Sequence, residues 1–190
     1  MMKRIKQGIA ALLFCTALTM HAQSAASGSG ATASLWAGVD YTDFKAGFPV
    51  DSNYRFSGIG AFVSYSRDRH WSLDAHARFL TMKSWNGETE QDWLIGPRYS
   101  FLRGAKLRPY GSLLIGAVKM HYPFQIGDGT NFALAPGGGL EYRRGERWSL
   151  RAGYEYQTLL DSPRFTNETH YGIKPNGFTA GVAYKIFGRK

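Results

Sequence analysis

The sequence contains one cysteine among its 190 residues, Cys15, and that residue lies in an N-terminal apolar stretch. A chain cleaved after this stretch has no cysteine, so a fold held together by disulfides is excluded. Phe14, directly before the cysteine, is larger than the small residue that a lipid-modification signal requires there. This argues against a lipid anchor.

The sequence also lacks an apolar run long enough for a membrane-spanning helix. The stretch at residues 8–20 is shorter than the about 20 residues that a bilayer requires, and the mean hydropathy is −0.30. This stretch follows a basic segment and precedes small residues, which is the plan of a secretory signal peptide. We therefore predict a removed signal peptide at residues 1–24, a flexible leader at 25–32 and one domain at 33–188.

No run of basic residues is present, although the chain carries 23 Lys and Arg against 14 Asp and Glu, a formal charge of +9. Three of the basic residues belong to the predicted signal peptide, and the others are interspersed with acids. A nucleic-acid partner would require a concentrated basic patch. We therefore expect no binding to nucleic acid.

What the sequence does contain is alternation of apolar and polar residues, which predicts strands. No amphipathic-helix period occurs after residue 33. Residues 71–81 place Trp71, Leu73, Ala75, Ala77 and Phe79 on one face and Ser72, Asp74, His76 and Arg78 on the other. An aromatic content of 15% and 23 glycines also suit β-structure.

Such segments recur at about residues 35–41, 58–65, 71–81, 92–101, 112–117, 134–142, 148–157 and 178–186. Ten residues at about 3.4 Å each, tilted near 40°, cross an apolar band about 25 Å tall. The connections alternate between long ones, at about 42–53, 83–91, 120–131 and 158–175, and short ones, at about 66–70, 102–108 and 143–147. Outer-membrane barrels combine short periplasmic turns with long external loops. The sequence therefore predicts an all-β fold, an eight-stranded antiparallel up-and-down transmembrane β-barrel with both termini periplasmic and four longer external loops.

The two faces of the strands decide between a membrane barrel and a soluble periplasmic ligand-binding barrel, which would turn its apolar face inward. Aromatic residues lie at strand ends on the apolar face, as in the girdles at the two lipid interfaces. The predicted girdle comprises Trp71, Phe79, Trp93, Tyr99, Phe101, Trp148, Tyr156 and Tyr184. The opposite face mixes Gly and Ser with charges of both signs, which fits a narrow, filled interior. We therefore expect the apolar face to meet lipid, in the bacterial outer membrane.

The charged residues of the inward face predict a network in the lumen. Buried charges require partners, and eight strands leave an interior that side chains can fill. We expect paired charges that rigidify the barrel, with an ion-selecting constriction as the alternative. The network comprises Asp74, His76, Arg78, Arg98, Glu141, Arg151, Glu155 and Lys185, with Asp40, Asp92 and Arg143 on the same face.

Two short turns allow the pairing of inward residues to be predicted. Across the 143–147 turn, Glu141 and Arg151 are expected to be opposite or diagonal neighbours. Counting back through the 66–70 turn places Gly60 opposite His76 and the residue at 58 opposite Arg78.

No catalytic residue, metal site or cofactor is predicted. Asp74 and His76 share a face, as an acid–base pair would, but no Ser or Cys nucleophile is evident beside them. The His-x-Ser-Asn pattern of lipid-A deacylases, which are also eight-stranded barrels, is absent. The histidines after the signal peptide are scattered without ligand spacing. A lipid-A-modifying enzyme is therefore the remoter alternative.

Arg55 and Lys119 are expected on the lipid-facing side at the outer ends of their strands, and Lys45 is expected in the first loop. One hypothesis is that they bind lipopolysaccharide phosphates, and the alternative is ordinary snorkelling of long side chains. The other expected partners are outer-membrane lipid, the barrel-insertion machinery during biogenesis, and a surface ligand of the loops.

Three segments resemble the broad family of small OmpA-like eight-stranded β-barrel outer-membrane proteins: IGPRYSF at 95–101, GGGLEY at 137–142 and WSLRAGYEY at 148–156. The resemblance spans about residues 33–187. It implies a structural or surface protein, or a narrow porin-like pore, and it places Arg98, Glu141, Arg151 and Glu155 in the lumen. Barrels of this kind often end on an aromatic residue that the insertion machinery reads, whereas here Phe187 is followed by Gly-Arg-Lys.

Overall fold

The structure is a computed structural model, and it describes residues 33–47, 54–68, 70–82, 87–102, 105–122, 127–160 and 173–188. The predicted signal peptide at 1–24 and leader at 25–32 lie outside these ranges, as do parts of the four predicted long loops. Within the described ranges, no helix is long and apolar enough to cross a membrane.

The described residues form nine strand segments, and neighbouring strands in the sheet run antiparallel. They are β1 Ser34–Lys45, β2 Arg55–Ser66, β3 Trp71–Met82, β4 Thr89–Ser100, β5 Leu107–Tyr122, β6 Gly127–Arg144, β7 Trp148–Tyr156, β8 Thr158–Leu159 and β9 Asn176–Gly188. The loop end of the barrel carries the connections at 46–54, 83–88, 123–126 and 160–175. The turn end carries those at 67–70, 101–106 and 145–147.

The sheet closes on itself. Each strand from β1 to β7 pairs antiparallel with its neighbour in sequence, β7 pairs with β9, and β9 pairs with β1. The short β8 continues β7 beyond Gln157 and pairs with β6. Nine segments therefore make an eight-stranded barrel. Closure leaves no strand edge unpaired, as a sheet in lipid requires. The predicted all-β, eight-stranded antiparallel barrel is confirmed.

The pairing between β2 and β3 differs from the prediction by two residues. Phe62 lies opposite His76, and Gly60 lies opposite Arg78; the predicted pairing of Gly60 with His76 and of Gly58 with Arg78 is wrong. Because the shift is even, each side chain still occupies its predicted face. In the β6–β7 pair, the residues at 141 and 151 lie directly opposite each other, as predicted.

The shift originates in the 67–70 turn. The carboxylate of Asp68 accepts hydrogen bonds from the backbone N–H groups of His70 and Trp71, both at 2.7 Å. The Asp68 side chain therefore occupies these two backbone donors. The β2–β3 ladder begins beyond them, with Ser66 opposite Ser72.

The third predicted long loop, at 120–131, is mostly hairpin. Strands β5 and β6 contain 16 and 18 residues, and their ladder continues to Tyr122 opposite Gly127. The prediction ended these strands where the apolar face ended. Backbone pairing requires no apolar side chains, so the ladder extends past that point.

The barrel is apolar outside and charged inside. On the outer face, Val39, Ile59 and Phe178 are 57%, 69% and 67% exposed, whereas the inward Arg78 and Arg98 are 1% and 2% exposed. A protein in water would bury the first group and expose the second. The distribution is that of a barrel whose outer surface contacts lipid.

Candidate functional site

The inward charges form two clusters at different heights in the lumen. The first, the loop-side cluster, comprises Arg78, Asp92, Glu155 and Gln157. Arg78 donates two hydrogen bonds to Glu155, both at 2.7 Å, and forms an ion pair with Asp92 at 3.5 Å. The amide nitrogen of Gln157 donates to Asp92 at 3.0 Å and to Glu155 at 3.1 Å. Side chains from the neighbouring strands β3 and β4 thus meet side chains from the end of β7 across the interior.

The carboxyl of Glu90 adjoins that of Asp92 at the top of this cluster. Glu90 is fully buried. Among the described residues, Arg78 supplies the one guanidinium that neighbours these three carboxyl groups. Burial of charge without a partner is costly, so the loop-side cluster depends on this single cation.

The second, the turn-side cluster, comprises Ser64, Asp74, Arg98, Glu141 and Arg151. Arg98 forms ion pairs with Glu141 at 2.5 Å and with Asp74 at 3.0 Å. Arg151 forms ion pairs with Asp74 at 3.1 Å and with Glu141 at 3.6 Å. The hydroxyl of Ser64 donates to Asp74 at 2.6 Å and accepts from Arg98 at 3.0 Å. Each carboxylate here contacts two guanidinium groups.

Arg143 adds a third guanidinium at the mouth of the turn end, 2.7 Å from Glu141. The guanidinium groups of this half also lie over aromatic rings: Arg98 over Tyr110 at 5.3 Å, Arg151 over Phe62 at 4.5 Å and Arg143 over Trp36 at 4.9 Å. Cation–π contacts of this kind add favourable energy where water is excluded.

His76 lies between the two clusters. Its ring stacks on Phe62, with centroids 5.4 Å apart, and its nitrogens are 3.6 Å from Asp40 and 4.0 Å from Asp74. A cavity of about 30 Å³ adjoins this histidine, which is room for about two water molecules. The arrangement links the clusters, and it surrounds His76 with carboxylates and an aromatic ring.

Gly60 makes space for the loop-side cluster. A Cβ atom at this position would fall 2.9 Å from Cγ of Arg78 and would also collide with the carboxylate of Asp40. Such distances are shorter than van der Waals contact, so a larger residue would displace Arg78. The small inward residues predicted for a filled lumen have this role here.

An apolar cap covers the loop-side cluster, and sequence analysis did not identify it. Its inward-facing side chains include Phe44, Phe56, Leu80, Met82, Leu114, Val118, Met120, Leu159 and Ile173. The signal was present, because all of these residues except Ile173, which precedes β9, have the inward parity of their strands near the loop end. The charged residues indicate a polar inner face, but near the loop end that face is a hydrophobic core.

The predicted network residues meet with one exception. Asp74, His76, Arg78, Arg98, Glu141, Arg151 and Glu155 belong to the two clusters or link them. Lys185 does not: it is only half-buried, and no ion pair joins it to another described residue. It lies opposite Trp36, beside the irregularity in the β1–β9 ladder at Leu35/Trp36. There the regular alternation ends, so Lys185 lies at the mouth of the lumen.

The predicted girdle residues lie on the outer face in two groups. At the turn end, Trp71 and Phe101 both pack edge-to-face on Tyr99, at 4.9 and 5.3 Å, and Trp148 packs on Tyr184 at 5.1 Å. Toward the loop end lie Tyr156 and the pair Phe79–Trp93, at 5.9 Å. Tyr154 and Phe178, at 5.0 Å, belong to this second group and were not predicted.

The basic residues at the loop end are largely paired with acids. Arg55 donates to both carboxylate oxygens of Asp43, at 2.9 and 2.7 Å. Lys119 lies 2.8 Å from Asp128, which also contacts His121. Hydrogen bonds from His121 and Lys119 hold the pKa of Asp128 below its ordinary value.

Lys45, in contrast, is exposed and lies opposite Arg55 in the ladder. The structure therefore does not bring Lys45, Arg55 and Lys119 together as one anion-binding surface, because β3 and β4 separate β2 from β5.

The sequence matches the family described as outer membrane protein beta-barrel domain over residues 10–185. Comparison with curated proteins found no match. Because the family match covers most of the chain, the protein belongs to the outer-membrane β-barrel family, and its location is the bacterial outer membrane.

Solved structures of small outer-membrane barrels share this fold. Neisserial surface protein A superposes with a TM-score of 0.64 at 15% identity, over 83% of this chain and 100% of that one. The N-terminal barrel domain of Pseudomonas aeruginosa OprF gives 0.58 at 15% identity, over 83% and 100%. Ail of Yersinia pestis, solved with the heparin analogue sucrose octasulfate, gives 0.53 at 19% identity, over 83% and 100%. At these identities the likeness establishes the fold, and none of these proteins is named for an enzymatic activity.

Proposed function

We propose that this protein is a structural and surface-interaction barrel whose lumen is closed by paired charges. The observation that carries the proposal is the stacking of two ion-pair clusters beneath an apolar cap. Eight strands leave an interior that side chains can fill, and here charged and apolar side chains from several strands cross it. A barrel filled in this way is a rigid support for what its loops display.

Single-channel recording in planar bilayers tests the closed lumen. The purified barrel, verified by heat-dependent gel migration, is expected to give no conductance steps above the lipid background. Glu155→Lys, which places two cations at the loop-side cluster, is expected to lower stability and still give no steps. Tyr156→Phe, on the adjacent outward position, is the matched control. Defined steps whose ion selectivity changes in Glu155→Lys would refute the closed lumen.

A narrow, low-conductance channel is the second candidate. The cavity beside His76 favours it, because this cavity interrupts the side-chain packing between the two clusters. Its lining includes Asp40, His76, Arg151 and four glycines. We expect that rearrangement of a few side chains would connect it to one end of the barrel. The same recordings distinguish this candidate, which requires steps in the unaltered protein.

The orientation that we propose places the turn end and both termini in the periplasm and the loop end outside the cell. The alternation of connection lengths supports it. Cysteine scanning of intact cells with a membrane-impermeant maleimide tests it. Leu160→Cys, exposed at the loop end, is expected to react in intact cells, whereas Glu146→Cys, exposed in a short turn, is expected to react only after permeabilisation. The reverse pattern would overturn the orientation.

At the loop end, contact with lipopolysaccharide phosphates stays a prediction. The exposed Lys45 is its best-placed member, because Arg55 and Lys119 already contact carboxylates. Loss of co-purified lipopolysaccharide in Lys45→Gln, but not in Lys174→Gln at the same end, would support it.

A further inference from the structure

Among the described residues, the turn end carries exposed basic residues that form no ion pair. Arg67, Lys106, Arg144 and Arg147 are all exposed, and we name them the turn-end basic ring. In the part of the chain that the structure describes, none of the four forms an ion pair. The acids in the same turns are Asp68 and Glu146, and the carboxylate of Asp68 is engaged by the backbone of its own turn.

At the loop end, by contrast, two of the described basic residues contact carboxylates, and Lys45 is exposed. Arg55 has a two-point contact with Asp43, and Lys119 contacts Asp128. Among the described residues, the turn end therefore has four exposed basic residues outside ion pairs, and the loop end has Lys45. This is the opposite end from the one where the sequence placed an anion-binding rim.

The ring lies at the level of the turn-end aromatic girdle. Arg144 is directly opposite Trp148 in the β6–β7 ladder, so it shares the lipid-facing side with that indole. Arg147 donates a hydrogen bond at 3.1 Å to the hydroxyl of Tyr184, whose ring packs on Trp148. Girdle tryptophans and tyrosines reside at headgroup depth. The guanidinium groups beside them are therefore positioned at the height of lipid phosphates.

We propose that the turn-end basic ring binds the headgroups of anionic phospholipids in the leaflet that surrounds the short turns. Each basic side chain near an anionic surface contributes favourable electrostatic energy, and Arg binds phosphate with two donors. The inference requires only that the barrel spans a bilayer. Naming that leaflet as the periplasmic one rests on the proposed orientation.

The distribution of the ring favours lipid over a protein partner. Its members occupy all three short turns, those between β2 and β3, β4 and β5, and β6 and β7. These turns are spread around the barrel. A protein docking from one side would meet one sector, whereas lipid headgroups encircle the whole circumference.

Tryptophan quenching by brominated lipids tests the proposal, because the two girdles carry separate reporters. One reporter protein keeps Trp71 and Trp148 at the turn end by means of Trp85→Phe and Trp93→Phe. The other keeps Trp93 by means of Trp71→Phe, Trp85→Phe and Trp148→Phe. Trp36 points into the lumen and remains in both as a constant background. Each protein is reconstituted into phosphatidylcholine vesicles containing either brominated phosphatidylglycerol or brominated phosphatidylcholine.

The turn-end reporter is expected to be quenched by the anionic lipid with an apparent preference of about five-fold over the zwitterionic lipid, the effect of one basic side chain at an anionic surface. The Trp93 reporter is expected to show no preference. Both leaflets have the same composition, so the result is independent of insertion direction and of the proposed orientation.

Neutralising the ring with Arg67→Gln, Lys106→Gln, Arg144→Gln and Arg147→Gln is expected to abolish the preference, whereas Lys45→Gln at the loop end is the control and leaves it intact. If the neutralised protein fails to insert, salt provides the second measurement: about 1 M salt, where the Debye length is about 3 Å, removes the preference of the unaltered ring. Equal quenching by both lipids, the same preference at Trp93, or a preference that survives neutralisation or salt would overturn the proposal. Soluble inorganic polyphosphate binding without any lipid preference would also overturn it.

Discussion

The loop-side and turn-side clusters occupy the same lumen with opposite balances of charge. On the loop side, Arg78 alone faces Asp92, Glu155 and the neighbouring Glu90. On the turn side, three guanidinium groups surround two carboxylates. Aromatic contacts do not distinguish the clusters, because Arg78 lies over Phe44 at 5.6 Å just as the turn-side guanidinium groups lie over their rings. The first cluster is sealed under an apolar cap, and the second opens toward the mouth of the barrel. The comparison indicates that one cluster depends on a single residue and the other is redundant.

Removing Arg78 is expected to have the largest effect on stability. Arg78→Met leaves Glu155 and Asp92 buried without a cation, and the loss of one partner of a buried ion pair costs about 3–5 kcal/mol. Urea unfolding in lipid vesicles, followed by tryptophan fluorescence, measures this loss.

The double variant Arg78→Met with Glu155→Met is the control for that measurement. Removing both partners deletes the unpaired charge as well as the pair, so the double variant is expected to lose less than the single one. If the single variant lost less than about 1 kcal/mol, the loop-side cluster would not depend on Arg78.

Removing Arg98 is expected to cost less, although it has more contacts in the turn-side cluster. In Arg98→Met, Glu141 keeps Arg143 and Arg151, and Asp74 keeps Arg151. The remaining loss is that of charge-assisted hydrogen bonds, about 2 kcal/mol. The same unfolding experiment checks it, and a loss equal to that of Arg78→Met would remove the distinction between the clusters.

Part of this arrangement follows from the sequence alone. Alternation at period 2 identified the strands, their faces and most of the lumen residues, because side-chain direction in a strand follows parity alone. Glu141 opposite Arg151 followed from a tight turn. Gly60 opposite Arg78 did not follow in this way, because the connection before β3 contains side-chain contacts, those of Asp68 with the backbone N–H groups of His70 and Trp71, that the alternation does not reveal. Register is thus set by contacts that periodicity does not encode.

Which charges pair across the lumen is likewise not encoded in the alternation. Arg78 and Glu155 are 77 positions apart, and Arg98 and Glu141 are 43 apart. Their meeting depends on strand stagger around the closed barrel. Lys185 has the right parity but adjoins a ladder irregularity, and the apolar cap has the inward parity without any charge. The positions of Lys185 and of the apolar cap could therefore be recognised only in the folded barrel.

Adding one methyl group at Gly60 tests whether the loop-side cluster depends on close packing around Arg78. Gly60→Ala forces Arg78 or Asp40 to move, and overpacking of this kind costs about 1 kcal/mol or more. Gly111→Ala is the matched control, because its Cβ would meet only ordinary contacts at 3.8 Å and beyond. Urea unfolding of both variants is the measurement, and equal stability of the two would mean that Arg78 adjusts freely.

The smallest effect is expected outside the lumen, at the Lys119–Asp128–His121 contact on the β5–β6 hairpin. These side chains are exposed, so Asp128→Asn is expected to leave the unfolding transition unchanged. The contact is nevertheless measurable by titration, because hydrogen bonds from His121 and Lys119 lower the pKa of Asp128 below its ordinary 3.8. A lowered carboxyl pKa means that the contact is formed above pH 3.8 and is lost as the pH falls through the lowered value. Carboxyl NMR shifts of Asp128 would show a midpoint below 3.8 that rises in Lys119→Gln. An unshifted midpoint would show that the contact does not persist in solution. The strength of an ion pair in this barrel would then depend on its burial and not only on the distance between its partners.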